Sequence, residues 1–303
     1  MRAFAATRDT PPADLIGRVL CHDVPGGLRK GHALREEDLA ALFQDRVEVH
    51  LLELGPDDVG QKEAGRRLAS AFHTPGLEPH PSGHRHVLRA ERSGLLVIDA
   101  AALQRMNAIP GIAVFTLPGG TIVAPQQVVV HAQITPLAID GRSLREAEDF
   151  ACANAVVRLR ELVPREAILW KRDERLVAPL GEMLQGYGCR LRTTLDLPPD
   201  AASIGASLEA AIGCGATLLL VAGTNALDPL DPVFVALERI GATVRRKGMP
   251  VHPGTLLWIA THQGATIIGL PSCGLRGAFE LVLPRVLAGE GDFSALGHGG
   301  VAR

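Results

Sequence analysis

TLLLVAGTNALDPLDPVF, residues 217–234, is the stretch on which the fold turns. Leu218 to Ala222 are apolar without alternation, the pattern of a strand covered on both faces, as in a parallel sheet. Gly223 ends the run, and Thr224, Asn225, Asp228 and Asp231 follow, with two Asp-Pro pairs. Asp231-Pro232 ahead of VFVALERIG has the form of a helix start, with a carboxylate cap and proline at the first helical position. Carboxylates at the mouth of a buried strand admit a second reading. They supply oxygens to a hard cation such as magnesium, while the helix start offers backbone N–H groups to an anion.

Outward from this stretch, strand and helix alternate from residue 166 onward. AILW is a strand, LVAPLGEMLQGYG a helix ending at glycine, and CRLRTTLDL a strand. PPDAASIGASLEAAIGCG has proline near its start and glycine at its end, as helices do. ATVRRKG, TLLWIATHQ and ATIIGLP are strands, and GLRGAFELVLPRVLAG is the last helix. The alternation predicts an α/β unit with a mostly parallel, doubly wound sheet. No Gly-x-Gly-x-x-Gly follows a strand and no Gly-Lys-Ser/Thr phosphate loop occurs, which leaves nicotinamide and P-loop readings with little support.

The first half reads as smaller α+β and rich in strands. KGHALREEDLAAL (30–42) predicts a turn and a short helix, and VEVHLLEL (47–54) a strand. DDVGQKEAGRRLASAF (57–72) predicts a helix with Ala64, Leu68, Ala69 and Phe72 on one face. PGLEPHPSGH (75–84) reads as loop. Residues 86–139 read as strands broken at Ser93-Gly94, Pro118-Gly119-Gly120 and Pro125, in a small barrel or curled sheet. Ser143 and Glu146 have the spacing of a capping box for a helix over 140–165 that joins the halves. The expected division is 1–140, a linking helix 141–165, and 166–303.

Composition narrows the function. A net charge of −2 and 4% aromatic residues give no basic or stacking surface for nucleic acid. No apolar run approaches the roughly 18 residues of a membrane span, and MRAFAATRDT has no apolar signal core. Five widely spaced cysteines without Cys-x-x-Cys fit a reducing cytoplasm rather than disulfides or zinc. His80, His84 and His86 fit no metal-ligand spacing and read as solvated.

Ligands of open α/β sheets bind beyond the carboxyl ends of the strands. Four segments there carry polar or glycine-rich chemistry: WKRDERL (170–176), AGTNALDPLDP (222–232), KGMPVHPGT (247–255) and IIGLPSCGLRG (267–277). In the last, Ser272 and backbone amides would face an anion and Arg276 would supply charge. Cys273 at the helix start has the position of an activated thiol, but no histidine lies close in sequence to serve as its base.

The order and spacing of these segments resemble the molybdenum-cofactor-biosynthesis domain, which binds molybdopterin and is shared by molybdotransferases and adenylyltransferases. AGTNALDPLD (222–231) is similar to its central motif Thr-Gly-Gly-x-Ser-x-Gly-x-x-Asp, with Gly223 and Asp231 in register. GLPSCG (269–274) is similar to Gly-Leu-Pro-Gly-Asn-Pro, Pro253-Gly254 to an intervening Pro-Gly, and KRDE (171–174) to Thr-Gly-Asp/Ser-Glu, with Asp173 and Glu174 in place. IGRVLCHDV, RKGHALREEDL, GLLVID…LQRMNAIPG and LGHGGV look similar to a compact group of molybdopterin-binding proteins.

The resemblance implies a three-layer αβα sandwich that inserts molybdate into adenylylated molybdopterin with magnesium, and a homo-oligomer. It implies a ligand pocket of Lys171, Arg172, Asp173, Glu174, Gly223, Thr224, Asn225, Pro253, Gly254, Gly269, Pro271, Ser272, Cys273 and Arg276. Asp228 and Asp231 would hold the metal and take part in catalysis. The chain departs from the pattern where Lys171-Arg172 replaces Thr-Gly, Thr224 the second glycine, Ala226 the serine, and Ser272-Cys273 Gly-Asn. These changes remove anion-facing donors, so a non-catalytic scaffold that docks onto a molybdoenzyme or another maturation protein is the alternative expectation.

Overall fold

Burial along Leu218–Ala222 explains why that strand has no alternation. In the computed structural model this strand, β15, is covered on both sides, with Leu218, Leu220 and Ala222 in one apolar layer and Leu219 and Val221 in the other. The structure describes residues 1–293 except 26, 45, 46, 73, 83, 84, 225, 273, 274 and 292. The chain forms two compact units, Met1–Arg160 and Glu161–Arg303.

In the second unit, β15 lies inside a six-stranded sheet of order β14-β13-β15-β18-β17-β16. Its other strands are β13 (Glu166–Lys171), β14 (Arg190–Asp196), β16 (Thr243–Lys247), β17 (Trp258–His262) and β18 (Ala265–Leu270). β14, β13, β15 and β18 are mutually parallel, and β17 runs antiparallel to both its neighbours. Helices α6 (Val177–Gln185) and α9 (Leu275–Leu287) cover one face through Leu180, Met183, Phe279 and Leu283. Helices α7 (Ala201–Gly213) and α8 (Pro232–Arg239) cover the other through Ile204, Leu208, Val233 and Leu237. The unit is therefore an αβα sandwich with a mostly parallel sheet. Burying apolar side chains on both faces stabilises such a sheet by roughly 1.5–3 kcal/mol for each large residue fully removed from water.

The first unit is α+β and built from small sheets. β5 (Leu77–Ser82), β6 (Arg85–Ala90), β10 (Val128–Ile134) and β8 (Ile112–Thr116) form one antiparallel sheet in that order. Its inner face shares a core with α3 (Gln61–Ala71), α4 (Ala100–Asn107) and α5 (Gly141–Ala153) through Leu68, Leu88, Met106, Val130 and Leu144. β1 (Arg2–Thr7), β3 (Glu48–Glu53) and β2 (Val19–Leu20) form a second sheet, packed with the short helices α1 (Pro12–Leu15) and α2 (Leu39–Leu42). β4 (Asp58–Gly60) pairs with β11 (Ala138–Asp140). β7 (Gly94–Ile98) lies between β9 (Ile122–Val123) and β12 (Val157–Glu161). The described strands thus form open sheets with free edges rather than a closed barrel.

Four expectations are corrected here. The proline-rich segment 75–84 contains strand β5, which pairs with β6 alone at the sheet edge. Proline lacks an N–H, and an edge strand uses only half of its N–H groups, so Pro79 and Pro81 are tolerated there. The linking helix stops at Ala153, and Val157–Glu161 is a strand whose Val157 and Leu159 are buried. The α5 cap is Asp140, whose carboxylate accepts from the Arg142 N–H at 2.7 Å, so Ser143 and Glu146 form no capping box there. His86 is not solvated. It is 6% exposed, packs against the position of Gly65 and lies 3.0 Å from the Lys62 carbonyl. His80 pairs with Glu78 at 3.2 Å, and His84 lies outside the described residues.

Candidate functional site

β13 and β15 are adjacent and parallel, but their connections leave in opposite directions. From β13 the chain passes through α6 to β14 at one edge, and from β15 through α8 to β16 at the other. A crevice opens beyond the carboxyl ends at such a switch point. The loops that meet there are the two whose sequences stand out, 171–176 and 223–231.

The loop after β13 is organised by charge. Lys171 is the last residue of its strand, and its register partner on β14 is Asp196. Its ammonium donates to Asp196 Oδ1 at 2.6 Å and lies 2.7 Å from Glu174 Oε2. The hydrogen bond to Asp196, then that to Glu174, raises the lysine pKa above its usual value. Asp173 accepts from the Arg175 N–H at 3.0 Å and pairs with the Arg175 guanidinium at 2.7 Å, which holds its carboxyl below the usual range. Arg172 donates its N–H to the Ala222 carbonyl at 3.1 Å. Its side chain crosses to α8, where two guanidinium nitrogens each stand 3.5 Å from an Asp231 oxygen. That spacing exceeds the ~2.7–2.9 Å of a tight charged bond.

The loop after β15 is organised by buried hydrogen bonds. The N–H groups of Gly223 and Thr224 both donate to the Leu270 carbonyl, at 2.9 and 3.2 Å. Gly223 sits at φ +87°, where an L side chain is strained, and a Cβ there would come within 2.9 Å of Arg172 Cβ. Thr224 is 2% exposed. Its hydroxyl donates to the Val221 carbonyl at 3.4 Å and accepts from the Trp258 indole N–H at 3.2 Å. Asp228 Oδ1 accepts from the Leu230 N–H and Asp231 Oδ1 from the Val233 N–H, each at 2.9 Å. Each acid follows an exposed leucine: Leu227 precedes Asp228 and Leu230 precedes Asp231, at 72% and 78% exposure.

The structure places the remaining expected residues as follows. Gly269 faces Trp258 across the β17–β18 pair, and a Cβ on it would lie 1.8 Å from the indole. Its bare backbone makes room for a buried tryptophan. Pro253 and Gly254 lie in the turn before β17, where the Pro253 carbonyl stands against Gly277 of α9. Pro271 is buried and Ser272 exposed beyond the end of β18. Arg276 lines a 360 Å³ cleft with Glu182, Met183, Gly186, Tyr187 and Glu280, between α6 and α9. Asn225 and Cys273 lie outside the described residues. Arg172, Gly223, Thr224 and Asp231 are thus brought together, with Lys171, Asp173 and Glu174 on the adjoining loop. Three neighbours escaped the motif reading: Asp196, Trp258 and Trp170, whose indole N–H donates to Ser207 at 2.9 Å just before Lys171. The available signal was positional, since Asp196 closes the strand after Lys171's.

The acids do not suit a divalent cation as they stand. Asp231 faces a guanidinium and caps a helix, and Asp228 caps its own turn. Among the described residues no group of three or more His, Cys, Asp or Glu side chains could hold a metal. Likewise, no described helix is long and apolar enough to cross a membrane.

The chain matches no protein-family model and no curated protein sequence. Solved structures similar to it include the molybdopterin biosynthesis MoeA protein from Pyrococcus horikosii, at 14% identity and TM-score 0.32, covering 76% of this chain and 79% of that one. MogA is similar at 18% identity and TM-score 0.28, over 41% and 94%. CinA from Thermoplasma acidophilum, described as of unknown function, is similar at 17% identity and TM-score 0.29, over 36% and 87%.

Proposed function

We propose that the second unit binds molybdopterin at the crevice between the ends of β13 and β15, as a binding protein of molybdenum-cofactor maturation. The observation that carries the reading is Arg172. Its guanidinium lies at the switch point, is 39% exposed, and is held by Asp231 at a distance a stronger acceptor can better. A phosphomonoester carries about −1.5 to −2 charge and offers three oxygens, so it competes with a carboxylate for a planar two-donor fork. Asp231 would release the guanidinium and keep its bond to the Val233 N–H, so α8 would stay capped.

Molybdate insertion has little to work with on this chain. Ala226 has no hydroxyl, and the Thr224 hydroxyl is committed to Val221 and Trp258 in the core. Calorimetric titration of the purified chain with molybdopterin tests the proposal. One-to-one binding that Arg172→Ala weakens by about tenfold or more is expected. Absence of binding sinks it.

A second reading has an observation of its own. Leu227 and Leu230 are exposed in the Leu-Asp-Pro-Leu-Asp-Pro turn (227–232), as an apolar tip suited to docking on a molybdoenzyme or another maturation protein. If it holds, Leu227→Ser with Leu230→Ser abolishes capture of a purified molybdoenzyme while Arg172→Ala does not.

A further inference from the structure

The charges around Arg172 reach beyond the question of whether an anion binds. Three cations, Lys171, Arg172 and Arg175, stand at the ends of β13 and β15 with five carboxylates: Asp173, Glu174, Asp196, Asp228 and Asp231. This rim is net −2 although its sequence looks basic. The pairing is also uneven. Lys171 is 16% exposed and faces two carboxylates, so its charge is more than cancelled. Arg175 is closed on Asp173 in a two-pronged pair. Only Arg172 is held at 3.5 Å, and it shares its single carboxylate with a helix cap.

Among the described residues of these two loops, Arg172 is therefore the most loosely held guanidinium a ligand meets. Glu174 and Asp196 lie on the β14 side, and Asp228 on the α8 side. A phosphomonoester concentrates its charge on one phosphorus and can satisfy it at that fork. A pyrophosphate linkage places charge on two phosphoryl groups joined through one bridging oxygen. Whichever of them takes Arg172, the cation of the adjacent residue, Lys171, is already paired with two carboxylates, so the other phosphoryl gains no free cation there, and its charge costs affinity. The usual remedy, a divalent cation bridging phosphate and carboxylates, lacks a suitable donor set here because Asp231 and Asp228 are engaged with Arg172 and with their own turn.

We propose that Asp196 and Glu174, by clamping Lys171, restrict this site to ligands that present a single phosphomonoester and exclude pyrophosphate-linked, nucleotide-bearing forms. Resting on the reading above, this assigns the chain to molybdopterin itself rather than to its adenylylated form. Asp196 and Glu174 are then specificity-determining residues on the opposite side of Arg172 from the motif aspartates.

The experiment compares four probes in magnesium-free buffer with the full chain: inorganic phosphate, pyrophosphate, molybdopterin and adenylylated molybdopterin. The same titrations are run on Asp196→Asn with Glu174→Gln, with circular dichroism to confirm that the variant folds. Both side chains are largely exposed, 90% and 76%, so the fold does not depend on them. Wild type should bind phosphate more tightly than pyrophosphate, because one loosely held guanidinium serves a single phosphoryl group. It should bind molybdopterin at least about tenfold more tightly than the adenylylated form. Freeing Lys171 should raise affinity for both two-phosphoryl probes about tenfold and narrow each gap. Pyrophosphate binding as tightly as phosphate, or a gap untouched by the double variant, overturns the restriction. Phosphate preferred over pyrophosphate with no molybdopterin binding overturns the proposed function and leaves the restriction standing. If no probe binds, both fall.

Discussion

The two loops at the switch point are held by different forces, although they end neighbouring parallel strands. The 171–176 loop rests on ion pairs at the solvent surface, Lys171 with Asp196 and Glu174 and Arg175 with Asp173, which water and salt screen. The 223–231 loop rests on Gly223, Thr224 and Trp258, whose hydrogen bonds lie inside the core and leave a costly vacancy if broken. One loop is therefore adjustable and the other fixed. Arg172 belongs to the adjustable loop but reaches over the fixed one, which is the arrangement a binding group needs.

That contrast can be broken or sharpened in order of effect. Gly269→Val should be the most damaging change, because its side chain would occupy the Trp258 indole. A loss of at least about 3 kcal/mol in urea unfolding is expected, and a smaller loss than in Trp258→Phe would mean the indole is free to move. Trp258→Phe should cost about 1–3 kcal/mol by removing the donor to Thr224, and Gly223→Ala about 1–2 kcal/mol through positive φ and contact with Arg172. Asp231→Ala should cost about 1 kcal/mol of stability as a lost cap, yet raise phosphate affinity by freeing Arg172. Reduced phosphate affinity in that variant would restore the aspartate as a ligand-side group. The smallest effect concerns pH. The carboxyl of Asp173 titrates below its unfolded value, so its contribution is present above that value and is lost as pH falls through the folded one. Amide shifts in an acid titration should move Arg175 while leaving Thr224 still; movement of both together would erase the distinction between the loops.

Much of the second unit was legible in its sequence. The apolar run of β15, the Asp231-Pro232 start of α8 and the glycine at its positive φ each have a local cause. The first unit was less so. Segment 75–84 looked like loop because its prolines are turn formers, and only the sheet edge explains why they can sit in a strand. Helix α4 has eight residues and a single Asp99 cap, too little periodicity to stand out. The capping-box spacing extends a helix over 140–165 in the sequence, but Val156 and Val157 favour a strand and are buried. In the site, Gly223 and Asp231 could be located by motif. The neutralisation of Lys171 by Asp196 could not, since it depends on the register of β13 and β14. The packing of Gly269 against Trp258 is likewise invisible in the sequence, being set by an antiparallel register.

The central claim is that Arg172 is the anion anchor of a molybdopterin site. Calorimetric titration of molybdopterin into wild type and Arg172→Ala tests it most directly. We predict one-to-one binding without added magnesium in wild type and a loss of about tenfold or more in the variant. No heat in wild type, or equal binding by both proteins, would contradict it.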